Sequence, residues 1–414
     1  MRFIVIGITD HPSPCFTPDV ARVIKAGRVF SGGRRHHEIV APLLPAGAQW
    51  IDITAPLDDV FRQYKSLSAQ SSAGGPAVIV FASGDPLFFG FASTIRREMP
   101  EADIVTYPAL NSLQTLAHRL LMPYHDLRVV SLTGRPWPEF DRALIERSAK
   151  MGVLTDREHT PAAIARRMLD YGYKDYTMHI GEHLGHPLME KVTTLVLEEA
   201  ARRDFSHPNC LILEQRRRCD GAPATARPFG IPDREFTLLD GREKMITKMP
   251  IRLLDLQALE LPSRHVLWDI GSCTGSVSIE ARLLFPHLRV EAFEIRQQCD
   301  AIIRDNARRH GAPGIHVHIG DFCSVSCDTI AAPDAVFIGG HGGHLMSIMS
   351  KALSYLSPGG VMVMNSVSAP KVTANSHSLW DDACRKLGLT QEPATSIILN
   401  DHHPIEILKC RRSQ

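Results

Sequence analysis

The chain has 414 residues, of which 44% are hydrophobic, enough for two or three domains with ordinary buried cores. Lys and Arg number 46 against 45 Asp and Glu, so there is no global basic excess of the kind that marks a nucleic-acid partner. No apolar run is long enough to span a bilayer, and the opening MRFIVIGITD reads as a short strand without a basic leader, so a cytoplasmic location is expected.

In chain order the pattern is strand, helix, strand, the signature of an α/β protein. After the opening strand come SGGRRHHE at 31–38, VIVFASGDPLFFG at 78–90, PALNSLQTLAHRL at 108–120 and VVSLTGRP at 129–136. Each places polar or basic groups just after an apolar strand. A first domain is expected over 1–213, and EQRRRCDGAPATARPFG, through 214–230, reads as a linker because it is first charged and then rich in Pro, Ala and Gly. A second domain is expected over 231–414.

In that second domain, strands are expected at 266–270, 290–295, 316–320, 335–339 and 361–366, with helices at 276–285, 296–310, 343–356 and 376–387. ATSIILN and PIEILKC, around a short polar turn, read as an antiparallel pair closing the sheet edge. The nine cysteines show no paired ligand spacing, so free thiols and no metal site are expected; Cys323 with Cys327, and His341 with His344, read as coincidental.

The segment Val266–Glu280, VLWDIGSCTGSVSIE, runs an apolar strand into a glycine turn and then a helix. Gly271 and Gly275 let the main chain approach a ligand closely, and the helix from Ser276 offers free N–H groups beside it. Glu294 ends the next strand roughly 20 residues on, where a carboxylate takes ribose hydroxyls. Asp321 and Phe322 follow the third strand and suit the amino group and face of an adenine. A dinucleotide fingerprint needs a small third residue near Val277, which this chain lacks. Asp269, ahead of the first glycine, suits a cofactor bearing an ammonium and a sulfonium better than a diphosphate, and the Asp269–Gly275 form resembles the first motif of methyltransferases dependent on S-adenosylmethionine.

Taken together, these segments resemble a known family. The first half is similar to the tetrapyrrole methylases of corrin biosynthesis. The second, through GREKMITKMPIR, VLWDIGSCTG, Glu294, NARRHGA, Gly320-Asp321, AVFIGGHGGHL and LSPGGVMVMNSV, is similar to the C-15 methyltransferase and decarboxylase of the same cobalamin pathway. The whole resembles the family of fused precorrin-6Y C-5,C-15 methyltransferases (decarboxylating). The resemblance implies a two-lobed tetrapyrrole methylase fold at the N-terminus. At the C-terminus it implies a Rossmann-like methyltransferase fold with a doubly wound sheet and a terminal antiparallel hairpin. It also implies one S-adenosylmethionine site per domain and a homo-oligomer. The implied activity is methylation of C-5 and C-15 of precorrin-6Y, or its cobalt form, with decarboxylation of the C-12 acetate. A single active C-terminal domain beside a degenerate tetrapyrrole-binding N-terminal domain stays open as the alternative, as do methylation of another acceptor and a purely scaffolding role.

Residue by residue, the resemblance assigns Thr247, Gly271, Ser272, Thr274, Gly275, Glu294 and Phe322 to the second cofactor, joined by Asp269 and Asp321. It assigns Gly339–Gly343, with Gly340 and His341, to the loop facing the macrocycle. Gly7, Asp85, Phe88, Gly90, Asn111 and Ser112 fall in the first cofactor pocket. A macrocycle with many carboxylates calls for local cations, and the candidates are Arg34, Arg35, His36 and Arg135 in the first half and Lys244 and Lys248 in the second. Methyl transfer by in-line displacement needs no nucleophilic side chain. The chain departs from the family at Gly7-Ile8-Thr9-Asp10-His11-Pro12, which lacks two glycines of the opening loop. It departs also at Asn111, where serine is common, and at Thr133, where histidine precedes Gly-Arg. Cys273 replaces the middle glycine of the second turn, a change expected to fit if its φ is negative.

Overall fold

Alternating apolar residues build the first sheet: Phe3 and Val5 of β1 (Arg2–Ile8) face one core, and Ile6 and Ile8 face the other. In this computed structural model, which describes residues 1–69, 77–216, 229–367, 376–399 and 404–413, β1 is joined by β2 (Val29–Gly32), β3 (Gln49–Asp52), β4 (Val78–Ser83) and β5 (Asp103–Tyr107). The order is β3-β2-β4-β1-β5 and every pairing is parallel. A second sheet has the order β6-β7-β10-β8-β9, from β6 (Arg128–Ser131), β7 (Lys150–Leu154), β8 (Tyr176–Glu182), β9 (Lys191–Val196) and β10 (Asn209–Gln215). Only β6 with β7 is parallel there.

Both sheets belong to one of the two compact units into which the chain divides, made of Met1–Pro136, Ala149–Arg166 and Asp175–Arg216. The other unit comprises Trp137–Ser148, Arg167–Lys174 and Arg217–Gln414. β10 runs two residues into the segment read as a linker, and residues 217–228 of that segment lie outside the described residues.

The second unit is built on seven strands: β11 (Val266–Ile270), β12 (Arg289–Glu294), β13 (Ile315–Ile319), β14 (Ala335–Ile338), β15 (Val361–Val367), β16 (Thr390–Ile397) and β17 (Ile405–Arg411). Their order is β13-β12-β11-β14-β15-β17-β16, with the first five parallel and β17 antiparallel to both its neighbours. This is a doubly wound, Rossmann-like sheet with a terminal hairpin. The five parallel strands fall within about a residue of their expected positions. β16 does not: it starts four residues before ATSIILN and ends at Ile397. Its side chains are mostly exposed and its pairing skips between Glu392 and Thr395, around Pro393. An edge strand tolerates a proline and needs no apolar face, so its sequence carries little strand signal. The expected helix at 296–310 begins at Cys299, and that at 343–356 begins at Leu345 because Gly342 and Gly343 both have positive φ. The polar turn at 400–403 lies outside the described residues.

Candidate active sites

Loops leaving β11 and β14 diverge to opposite sides of the seven-stranded sheet, so a crevice opens between their carboxyl ends. Two glycine turns meet there: a Cβ on Gly271 would lie 2.9 Å from Gly340 N, and one on Gly339 would lie 2.9 Å from Gly271 O. Gly271 and Gly275 take φ of +78° and +74°, and the helix Ser276–Leu284 follows at once. The N–H groups of Gly271 and Ser272 donate to Phe293 O at 2.8 and 3.0 Å, which ties the turn to β12 and brings Glu294 beside it. Asp269 accepts from Ser278 through Oδ2, from the hydroxyl at 2.6 Å and the backbone N–H at 3.2 Å. Its Oδ1 is buried with no partner among the described residues, as is Thr274 Oγ1. Burial, opposed by the Ser278 hydrogen bonds and reinforced by the charge of Glu294, pushes the Asp269 carboxyl up to about 6.

Cys273 overturns one expectation, since its φ is +49° rather than negative. Its side chain drops into an apolar cluster with Leu239, Cys299 and Ile303, and its N–H donates to Glu294 Oε2 at 2.9 Å. Burial of the thiol among these groups offsets a left-handed conformation that costs an L-residue about 1–2 kcal/mol. Glu294 Oε1 accepts from both the backbone and the guanidinium of Arg296, at 2.9 and 3.0 Å. Three of its roughly four lone-pair positions are therefore engaged, leaving room for fewer hydroxyls than expected.

Several other assignments come out differently. Phe322, expected to present its face to an adenine, is buried edge-on against Trp268 and Phe293 with Lys351 Nζ 5.1 Å from its ring. Asp321 is exposed and caps its own turn, accepting from Cys323 N at 3.0 Å and from the Ser324 hydroxyl at 3.1 Å. Thr247 is half-buried and its carbonyl accepts from Arg252 Nη1 at 2.7 Å, in a network where the fully buried Arg252 also reaches Glu280 and Asp233. Lys244 is exposed, and Lys248 Nζ lies 3.8 Å from Asp233. A Cβ on Gly340 would meet nothing within 4 Å among the described residues, and His341 accepts from Gly343 N at Nδ1, 3.2 Å away. Burial and the neighbouring His344 lower the His341 pKa, so the ring is neutral at pH 7.

The first unit holds an open cleft of about 490 Å³ at the carboxyl ends of β1, β2 and β4, closed on its other side by residues of the second sheet. Phe88, Gly90, Asn111, Ser112, Arg35 and His36 line it. Asn111 caps the helix Ser112–Arg119: its Oδ1 accepts from Gln114 N at 2.9 Å, and Gln114 Oε1 accepts from Asn111 N at 3.0 Å. Asparagine and serine are equal N-caps, so this departure from the family leaves the loop intact. Gly7 does not line the cleft; a Cβ there would lie 1.9 Å from Gly84 O, so its role is to let two strand ends touch. Asp85 does not line it either, and its Oδ1 accepts from Leu87 N at 2.8 Å to shape the loop.

The cationic candidates separate in the same way. Arg34 points to solvent and pairs with Glu38, whereas Arg35 is shared between Asp10 at 3.1 Å and the Ser83 hydroxyl at 3.0 Å. Burial, aided by Arg35 and opposed by Asp10, lowers His36 to about 4, so it offers a hydrogen bond rather than a charge. Arg135 sits 5.2 Å from the ring of Phe89 and donates to Ser131 Oγ. Sequence reasoning missed Phe89, Thr155, Asn209 and Cys210, all cleft-lining. Thr155 follows an apolar strand just as the recognised segments do, and the same rule applied to β7 would have found it.

The two crevices match two family models. One described as tetrapyrrole (corrin/porphyrin) methylases covers residues 4–201, and one described as a precorrin methyltransferase domain covers 240–390. The chain is thus a tandem of two methyltransferase domains. The precorrin-6Y C(5,15)-methyltransferase (decarboxylating) of Sinorhizobium sp is 32% identical over 88% of this chain and 84% of its own. A cobalt-precorrin-6B C(15)-methyltransferase (decarboxylating) of Salmonella typhi is 32% identical over 42% of this chain and 94% of its own. A cobalt-precorrin-7 C(5)-methyltransferase of Salmonella typhimurium is 25% identical over 51% of this chain and 98% of its own. The chain belongs to the family of precorrin-6Y C(5,15)-methyltransferases (decarboxylating).

Proposed function

We propose that the chain methylates C-5 and C-15 of precorrin-6Y, or of its cobalt form, from S-adenosylmethionine and removes the carboxyl group of the C-12 acetate, giving a precorrin-8-type product. The observation that carries this reading is a 32% identity running over 88% of the chain, across both crevices. Residues 1–213 take the C-5 step, and 231–414 take the C-15 step and the decarboxylation. A cytoplasmic homo-oligomer completes the reading, on the strength of the resemblance.

The second crevice fits the cofactor. Asp269 Oδ1 and Thr274 Oγ1, without partners among the described residues, offer acceptors to a cationic ligand, and the absent side chain of Gly271 lets the Gly340 backbone close against the turn beside them. Asp269, Gly271, Ser272, Thr274 and Gly275 hold it there, with the remaining lone pair of Glu294 for a ribose hydroxyl; in the first unit Phe88, Gly90, Asn111 and Ser112 do so. When bound, it supplies an electrophilic methyl on a sulfonium. The protein positions the acceptor carbon and excludes water. The conjugated macrocycle takes the electron pair released as carbon dioxide leaves.

The test is mass spectrometry of precorrin-6Y incubated with the protein and methyl-labelled cofactor, repeated for Glu294→Ala and Asp85→Ala. Two added methyls with loss of carbon dioxide are expected. Glu294→Ala is expected to remove the C-15 methyl, and Asp85→Ala, by releasing the loop that carries Phe88 and Gly90, to lower the C-5 methyl. Absence of any change with both the metal-free and the cobalt substrate defeats the reading.

A further inference from the structure

A second cavity of about 320 Å³ shares Asp10, Arg35 and Pro208 with the cleft of the first unit, and His183, His186 and His207 form other parts of its wall. Hydrogen bonds fix the chemistry of each ring. His186 Nδ1 accepts from Leu188 N at 3.2 Å and Met189 N at 3.1 Å, so the proton of the neutral ring is on Nε2. Asn209 Nδ2 donates to Ser206 O and lies 3.3 Å from His207 Nδ1, which again places that ring's proton on Nε2. His183 is the reverse: its Nδ1 faces Asp10 Oδ2 at 3.3 Å, and a carboxylate can only accept, so Nε2 keeps its lone pair. The other Asp10 oxygen takes Arg35 Nη1 at 3.1 Å. Two N–H donors, one acceptor and a guanidinium therefore stand around one chamber, whose wall also carries the carboxylates of Asp10 and Glu38, paired to Arg35 and Arg34 respectively.

Two features mark this chamber as built. His183 has φ of +47°, a conformation that costs about 1–3 kcal/mol and collects at ligand clamps. Its N–H donates to Pro208 O at 2.9 Å, which holds the strained residue in the cavity wall. Asp10 lies in the opening loop that departs from the family, between the two positions, Thr9 and His11, where glycines are lost, and it is the centre of an Arg35–Asp10–His183 chain.

We propose that this chamber is a carboxyl subsite for one acetate or propionate arm of the acceptor seated in the neighbouring cleft, an inference that rests on the tetrapyrrole reading above. The arm's oxygens accept from Nε2–H of His186 and His207 and from Arg35, and an arm bound as the acid donates its O–H as a hydrogen bond to Nε2 of His183. No covalent step is involved.

The test uses the full chain with precorrin-6Y, comparing wild type, the His186→Ala/His207→Ala double variant, and His183→Asn, in which asparagine tolerates the left-handed backbone. Losing hydrogen bonds to a charged group is expected to raise KM for C-5 methylation at least about tenfold. The dissociation constant for S-adenosylmethionine, measured in parallel, and the rate of C-15 methylation are expected to stay at wild-type values, which certifies the fold. Esterifying the macrocycle's arms is expected to abolish the difference between wild type and variants. An unchanged KM in both variants overturns the subsite and leaves the functional reading standing. Failure of the wild type to methylate either the metal-free or the cobalt substrate overturns the functional reading and the subsite with it.

Discussion

The N–H of Cys273 lies 2.9 Å from Glu294 Oε2, so the residue that interrupts the glycine turn also orients the carboxylate beside the cofactor crevice. That hydrogen bond belongs to the backbone and survives any side chain whose conformation keeps φ near +49°.

Cys273→Gly is therefore expected to leave cofactor affinity within a few fold of wild type. Relief of the left-handed conformation, worth about 1–2 kcal/mol, opposes loss of a small buried side chain worth about 1 kcal/mol, so stability should move by less than about 1 kcal/mol. Cys273→Val puts a branched Cβ into the same conformation and should cost about 2–3 kcal/mol. Urea denaturation of the three proteins checks both.

Gly271 and Gly340 face each other but differ in tolerance. An alanine at Gly271 has φ of +78° and backbone only 2.9 Å from its Cβ, whereas a Cβ at Gly340 meets nothing within 4 Å among the described residues. Gly271→Ala should lose C-15 methylation and about 2–4 kcal/mol of stability, and Gly340→Ala should keep its wild-type melting temperature. Calorimetry of the pair distinguishes steric closure of the crevice from a general intolerance of the loops.

The buried carboxyl of Asp269 titrates at about 6 in the folded protein against an ordinary 3.8. A raised carboxyl binds its proton more tightly when folded, so stability falls as pH climbs from about 4 to about 6 and stays lower above. Asp269→Asn removes that ionisation. It should raise stability by about 1–3 kcal/mol at pH 8 and hardly at all at pH 4, while weakening cofactor binding at least tenfold. Melting temperatures across pH and a cofactor titration provide the check.

Glu291 titrates in the opposite sense. Burial alone raises its pKa, but hydrogen bonds from His316, His318 and Arg289 outweigh that and hold it at about 2. Its contribution is complete above its ordinary value of about 4.5 and disappears as pH falls to about 2. Glu291→Gln should lose about 1–3 kcal/mol at pH 6, and the gap to wild type should narrow on acidification. Denaturant midpoints measured from pH 6 down to pH 2.5 test it.

Local signals were the readable ones. The run from Val266 to Gly275 states its own structure, because an apolar strand, positive-φ glycines and a helix start are all encoded within a few residues. The cleft residues Phe88, Gly90, Asn111 and Ser112 were legible for the same reason. Phe322 was not, since an aromatic after a strand looks alike whether it meets a ligand or a core, and only Trp268 and Phe293, distant in sequence, decide. Arg34 and Arg35 are neighbours on one helix, yet successive positions are turned by roughly 100° and just one reaches the cleft. The contact of Asp10 with His183 joins residues 173 apart, beyond any periodicity.

The strand order has a bearing on how the second unit assembles. β17 lies between β15 and β16, so β16 has no partner in the sheet until the later strand exists. During synthesis, five parallel strands can collect while the edge of β15 remains bare, an invitation to pairing with a neighbouring nascent chain. The hairpin then docks as one piece and seals it. A lesion in β17 thus strips two strands rather than one, and the expected symptom is aggregation during expression rather than a poorer catalyst.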